Sequence, residues 1–222
     1  MIITKNNIKP ILAIETSNEL CSVCIYFSEN NFFSTEILLK NSHSEKLFGL
    51  IDFLISQAKI ELKDLECIAV SSGPGSFTGL RIGIAAAKGL ALGASLPIVL
   101  VPTFDAAAFQ VSSFLPNDVS YVITSKVNND DLYFSKYGTT GNGFENIIPL
   151  EIIPNIELEV KSENCIIYGN VKYDYVRRIL TLPNAEFIAR WVNKYGKDLI
   201  TYNYDFLEPN YFKNFIVKER KK

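Results

Sequence analysis

The stretch Ser71–Gly93, SSGPGSFTGLRIGIAAAKGLALG, limits the fold of this chain more than any other part of it. It holds six of the twelve glycines. It follows a short apolar run, LECIAVSS (Leu65–Ser72), and precedes another, LPIVLVP (Leu96–Pro102). Between those runs the apolar residues recur at helical spacing from about Thr78 to Leu92. The order is therefore strand, loop, helix, strand, and such a crossover favours parallel neighbours in one sheet.

Upstream, KPILAIETS (Lys9–Ser17), LCSVCIYF (Leu20–Phe27) and FFSTEILL (Phe32–Leu39) are separated by short polar turns and predict an antiparallel meander. NSHSEKLFGLIDFLISQAK (Asn41–Lys59) predicts a helix. Ser42 and Glu45 have the spacing of a capping box. Leu47, Leu50, Ile51, Leu54 and Ala58 share one face, which Phe48 and Ile55 widen. The sum is β-β-β-α-β-α-β, an α/β unit around a mixed five-stranded sheet.

A glycine loop before a helix is a common phosphate cradle, because the helix N-terminus aims backbone N–H groups at an anion. This loop meets neither nucleotide motif. GPGSFTGLR has no Lys after its last glycine, so it is not a P-loop. Gly73 and Gly75 fit the first two positions of Gly-x-Gly-x-x-Gly, but Thr78 stands at the third. Gly73-Pro74-Gly75 instead fits a type II turn, with Pro at its second position and a positive φ at the third. Ser76 and Thr78 are both candidate N-caps, on either side of Phe77. Gly79, Gly83 and Ala87 recur every four residues. Each helical glycine costs about 1 kcal/mol relative to Ala, so this small-residue row requires a close approach, either of the protein's own sheet or of a partner.

The rest of the chain excludes several chemistries. Net charge is −2, too little for a global field that holds nucleic acid. The one basic cluster is VKERKK (Val217–Lys222), which reads as a solvated tail. Ile82–Val101 is apolar enough to suggest a membrane span. It carries Lys88 near its centre, at roughly 2.5–3.5 kcal/mol on insertion scales, and Pro97, so it reads as helix then strand. MIITKNNIKP lacks the apolar core of a secretory signal. Cys21, Cys24, Cys67 and Cys165 read as free thiols; on a strand, Cys21 and Cys24 point to opposite faces. A cytoplasmic protein is expected. The single histidine, His43, has no partner for a metal site or a catalytic triad and is expected to face solvent near a helix N-terminus.

Ten of the eleven tyrosines lie beyond Asp105, which suggests a boundary near residue 104 and a second, less regular α/β domain over 105–222. There, Tyr121–Tyr137 predicts a hairpin turning at an Asn/Asp cluster, Thr139–Phe144 a loop, and Asn164–Asn170 a strand. Helices are expected over Tyr173–Leu180 and Asn184–Lys194.

Taken together, ILAIETSNELCSVCIYF, SHSEKL, the glycine stretch and PTFDAAA resemble the bacterial TsaB (YeaZ) family, and LEPNYFKN (Leu207–Asn214) is similar to that family's C-terminal Glu-Pro-x-Tyr-Leu-Arg segment. The resemblance implies the two-domain actin/Hsp70/sugar-kinase-like fold. It implies a non-catalytic subunit of the complex that forms threonylcarbamoyladenosine beside the anticodon of tRNAs reading codons that begin with A. A TsaD-like partner would carry the metal and the transferase site, and a TsaE-like ATPase would dock on the pair. This chain is then expected to bind no cofactor or metal, with ATP and metal on the partner subunits, and to meet tRNA through the complex. The partner surface would lie on the two helices of the first domain, with Leu47, Leu50, Ile51, Leu54 and Ile55 on one and Gly79, Leu80, Gly83, Ile84 and Ala87 on the other. TsaB-like proteins also pair with themselves through that surface. Glu15, Thr16 and Ser17 would be a vestigial phosphate hairpin. One departure is the second-domain Asp-Ala-Arg segment, which has no clear counterpart in ITSKVNNDDLY (Ile123–Tyr133), although Asp131 and Tyr133 match the Glu and Tyr that follow it. Two other readings are a small-molecule kinase of the same fold, which would need a second phosphate hairpin, and a peptidase, which would need a nucleophile or a metal.

Overall fold

The computed structural model describes residues 9–38, 43–163, 165–169 and 183–210. The meander is formed by β1 (Ile11–Glu15), β2 (Leu20–Ser28) and β3 (Asn31–Leu38). After α1 (His43–Ala58) come β4 (Cys67–Gly73), α2 (Phe77–Ala94) and β5 (Ile98–Pro102). The sheet order is β3-β2-β1-β4-β5. β1 pairs antiparallel with β2 and parallel with β4. This is the mixed five-stranded sheet expected from the sequence.

The second half was less legible. α3 (Thr103–Ser112) spans the expected boundary. β6 (Ser120–Lys126) and β7 (Asp131–Thr140) form the expected hairpin. The expected loop over Thr139–Phe144 is instead a tight turn into β8 (Gly143–Pro154), a twelve-residue strand. Then follow α4 (Leu158–Ser162), β9 (Ile166–Gly169) and α5 (Ala185–Tyr195). The second sheet has the order β8-β7-β6-β9, with β9 parallel to β6. It repeats the first sheet's β3-β2-β1-β4, and two such units make the actin/Hsp70/sugar-kinase-like architecture. The expected helix over Tyr173–Leu180, the basic tail and Ser42 of the capping box lie outside the described residues.

α1 and α2 cover one face of the first sheet. Leu47, Ile51 and Leu54 of α1 and Ile84, Ala87 and Ala91 of α2 meet Leu12, Ile14, Val23, Ile25, Ile68 and Val70. The other face is covered from the far end of the chain: Ala185, Ile188, Ala189, Trp191 and Val192 of α5 pack on Ile11, Ala13, Cys24 and Ala69. A division at residue 104 therefore does not follow the packing, because α5 belongs to the first sheet's core. α3 sits between the sheets. Ala106 joins the α5 layer, while Phe104, Ala107, Ala108 and Val111 meet Tyr121, Ile123, Tyr133 and Tyr137. Residues 200–210 run back along β5. Thr201 pairs with Ile98, Tyr204 Oη donates to Leu96 O at 2.6 Å, and Asn210 N donates to Ser72 O at 2.7 Å. The described part of LEPNYFKN thus ends against the glycine loop.

Candidate functional site

The glycine loop is seated on the first hairpin. β1 ends at Glu15, and Thr16 and Ser17 turn the chain toward β2. Ser17 O accepts a hydrogen bond from Ser76 N at 2.6 Å. Thr16 Oγ1 donates to Gly79 O at 2.8 Å. Ser76 is the N-cap of α2, its Oγ accepting from Gly79 N at 3.2 Å. Two of the N–H groups that a phosphate would use at this helix end are therefore engaged within the protein. Gly73 N donates to Thr103 Oγ1 at 3.0 Å. The turn differs from type II: Gly73–Pro74 is a cis peptide, and the positive φ, +113°, falls on Gly73 rather than on Gly75.

The row Gly79, Gly83, Ala87 faces the protein's own hairpin and sheet, not outward as a partner surface. A Cβ on Gly79 would overlap Thr16 O, and one on Gly83 would overlap Thr16 Oγ1. A Cβ on Gly75 would come within 2.7 Å of Ser17 Cβ and closer still to Ser17 O. Leu80 and Ile84 are buried beside them. In α1, Leu47, Ile51 and Leu54 are core residues, and Leu50 and Ile55 are half-buried at its edge. The reason is one of helical phase. The stripe that best covers a sheet is the one with branched apolar residues, and its small residues fall where the strand turn protrudes.

A second stripe points outward, and Phe48, expected to widen the apolar face of α1, lies on it. On α2 it carries Thr78, Arg81, Ala85, Gly89, Leu92 and Gly93, all exposed. On α1 it carries Phe48, Gly49 and Phe53. Leu92 is 70 % exposed, Phe53 54 % and Phe48 51 %. A Cβ added at Gly49, Gly89 or Gly93 would meet nothing within 4 Å. Phe77 is exposed too, with the Arg81 guanidinium 3.9 Å from its ring centroid. The sequence signal existed, since Ala85, Gly89 and Gly93 also recur every four residues. Spacing alone does not say which of two small-residue rows is buried.

The hairpin is closed to solvent: Glu15, Thr16 and Ser17 are all buried. Burial pushes the Glu15 carboxyl up to about 7, against the hydrogen bonds from Ser17 that hold it down. Glu15 Oε1 accepts Ser17 N at 2.5 Å. Burial likewise raises the thiols of Cys21, to about 11, and Cys67, to about 12. These are inert side chains, as expected of strand-buried cysteines. His43 is buried rather than solvent-facing, and its Nε2 has no hydrogen-bond partner among the described residues. Among the described residues, no group of three or more His, Cys, Asp or Glu side chains converges as metal ligands. No described helix is long and apolar enough to cross a membrane.

The second sheet repeats the junction in outline. Gly169 ends β9 with φ +152°, and a Cβ there would overlap Thr124 O on β6. The β6–β7 turn is held by Asn128, whose Oδ1 accepts Asp130 N at 2.7 Å and Asp131 N at 2.9 Å. Asp131 also accepts from Asn128 Nδ2, so the carboxylate matched to the family's Glu takes part in its own turn. Tyr133 is buried and packs edge-on against Phe104 of α3.

A family model described as TsaD, tRNA N6-adenosine threonylcarbamoyltransferase, matches residues 37–141. The chain is 33 % identical over 129 residues to a tRNA threonylcarbamoyladenosine biosynthesis protein TsaB of Haemophilus influenzae, covering 57 % of this chain and 52 % of that one. It therefore spans about half the length of that relative. It is 30 % identical over 200 residues to the protein of the same name from Buchnera aphidicola subsp. Acyrthosiphon pisum, covering 82 % of this chain and 87 % of that one. A crystal structure of a Pseudomonas aeruginosa protein, described as similar to peptidase YeaZ, superposes with a TM-score of 0.77. It covers 92 % of this chain and 100 % of that one at 22 % identity, a likeness of fold. At 30 % identity over more than four fifths of both chains, the chain belongs to the TsaB family.

Proposed function

We propose that this chain is a non-catalytic subunit in the formation of threonylcarbamoyladenosine in tRNA, beside the anticodon of tRNAs that read codons beginning with A. Its task is to hold a TsaD-type transferase, and the surface that does so is the outward stripe of α1 and α2. The observation that carries this reading is the exposed row Gly89, Leu92 and Gly93 on α2, together with the exposed Phe48 and Phe53 on α1, on helices whose opposite faces pack on the first sheet. Small residues let a second helix approach closely, and exposed aromatics supply the apolar anchors of an interface. The names of the relatives support the process, and the engaged amides of the glycine loop support leaving the nucleotide chemistry to other subunits.

In this reading ATP and metal are bound by the transferase and a TsaE-type ATPase that docks on the pair. The chain works in the cytoplasm, where its substrate tRNAs are. A homodimer through the same stripe is the resting form that the transferase displaces. Co-purification of tagged chain with the transferase tests the docking face. Wild type is expected to retain the enzyme, and Leu92→Asp to lose it while keeping its circular dichroism and Tm. Equal retention by the two proteins would place the interface elsewhere.

A further inference from the structure

Glu15 and Ser71 stand side by side on parallel strands, one step beyond the registered pair Ile14 and Val70. Strand alternation points both away from α2 and toward the α3 and α5 layer. Glu15 continues the row Ile11, Ala13, and Ser71 continues Cys67, Ala69, all four of which lie in that layer's core. Both polar residues are fully buried. Oε1 of Glu15 is used by Ser17 N, while Oε2 and the Ser71 hydroxyl have no hydrogen-bond partner among the described residues. The Ser71 hydroxyl acts on Glu15 as a weak hydrogen-bonding neighbour that lowers its pKa, too poorly aligned to count as a formed bond and too weak to offset burial. Buried polar groups of native proteins are almost always paired, so two neighbouring orphans are an unfinished contact. Protonation removes the charge from Oε2, and a neutral carboxyl is tolerated in an apolar slot where an incompletely paired carboxylate is not.

The slot lies at the foot of α5. Across the sheet from Glu15 is Ser22, its registered partner on β2. Ser22 Oγ accepts Ala185 N, the first amide of α5, at 2.8 Å. α5 is thus pinned one residue away from the buried carboxyl. Few other charges reach it. From β2, Cys24 and Tyr26 line the same layer as Glu15, as Cys67 does from β4, all three raised chiefly by burial; the Cys21 thiol, on the opposite face, is raised first by burial and then by Glu15. From α5, Glu186 and Arg190 pair with each other at 2.7 Å. From α3, Asp105 accepts Tyr137 Oη at 3.1 Å. Arg81 of α2 lies on the exposed face of its helix.

We propose that Glu15 is a proton-linked latch on α5: the neutral carboxyl keeps the helix seated on Ser22, and ionisation is coupled to the lifting of its N-terminal turn, which lets water reach the charge. The loosened element is α5, the last α-helix among the described residues, which packs on the first sheet. The latch is thus a conformational device at the junction of the two halves, separate from the outward stripe of α1 and α2.

Amide hydrogen exchange of the full chain between pH 6 and pH 8, corrected for intrinsic rates, tests it. The first-turn amides of α5 should exchange through a local opening, less protected than the amides of α1 at each pH. One released proton with a midpoint near 7 makes that opening about tenfold more frequent at pH 8 than at pH 6. Glu15→Gln should abolish the rise. Three outcomes overturn the latch: equal protection of α5 and α1, which means only global unfolding; no excess rise in wild type, as for a carboxylate kept ionised by a buried water; or a rise that survives in Glu15→Gln. Should that variant fail to fold, the wild-type comparison of α5 with α1 decides alone.

Discussion

Thr16 and Gly79 lock the first hairpin to α2. The Thr16 hydroxyl donates to Gly79 O at 2.8 Å, and the Thr16 carbonyl fills the place that a Cβ on residue 79 would need. The glycine loop of this chain is therefore shaped around its own backbone. The same contact explains why a stretch with the look of a phosphate cradle has little cradle left.

Substitution on this inner row should damage the fold before it damages any association. In Gly83→Leu the new side chain runs into Thr16 Oγ1 and Val70. Overpacking of this kind typically costs 1–3 kcal/mol, so a drop of at least roughly that size is expected in denaturant unfolding. Gly79→Ala should behave similarly, since its obstacle is a backbone carbonyl that cannot rotate away. Unchanged unfolding midpoints for both would mean that α2 is not seated on Thr16.

The outward row should respond in the opposite sense. Gly89 sits inside α2 with open space around it. Gly89→Ala should raise stability by about 0.5–1 kcal/mol, the propensity gain of alanine in a helix. Gly89→Leu should leave the unfolding midpoint near wild type yet weaken association with the transferase, read by analytical ultracentrifugation of the mixture. A large loss of stability in Gly89→Leu would show that this row is packed against the protein itself.

Glu15 makes a pH prediction. Its carboxyl titrates near 7 in the folded chain against 4.5 ordinarily, because burial penalises the charge. The folded chain thus holds this proton more tightly than the unfolded one. The resulting stability is complete below about pH 4.5 and is lost as pH rises through about 7, a span of roughly 3 kcal/mol. Glu15→Gln carries no such proton. Its Tm should lie near that of wild type at pH 5 and above it at pH 8. A variant that is equally destabilised at both values would show that Glu15 is ionised in the native state.

The N-cap offers a smaller test. Ser76→Ala removes the acceptor for Gly79 N and should cost about 1 kcal/mol in chemical denaturation. Thr78→Ala should cost less than half of that, because Thr78 is not the cap. Equal effects would place the start of the helix elsewhere.

The first sheet was legible because each of its strands is short, apolar and bounded by polar turns, and each helix shows one clear period. The second half hid β8, since GFENIIPLEIIP mixes charges and prolines into an edge strand that alternates only loosely. It hid α3 because PTFDAAAF begins at Pro102, the last residue of β5, and α3 starts at the next residue with no linker between them. The return of α5 to the first sheet is a long-range contact, and local pattern carries no trace of it. The candidate surface was only half legible: α1 and α2 are where the sequence places them, but Leu47, Ile51, Leu54, Gly79, Leu80, Gly83, Ile84 and Ala87 face the first sheet and its hairpin. Glycines four residues apart mark a close approach without saying which neighbour approaches, and in α2 two such rows share one helix. The burial of His43 escaped for a similar reason, since position near a helix start does not fix exposure.

The most direct measurement is tRNA threonylcarbamoylation in a reconstituted mixture of the transferase, its ATPase and substrate tRNA, with and without this chain. No product is expected from this chain alone, little from the mixture without it, and full product once it is added at one equivalent, with Leu92→Asp failing to restore it. A transferase that modifies tRNA at full rate in the absence of this chain would contradict the account.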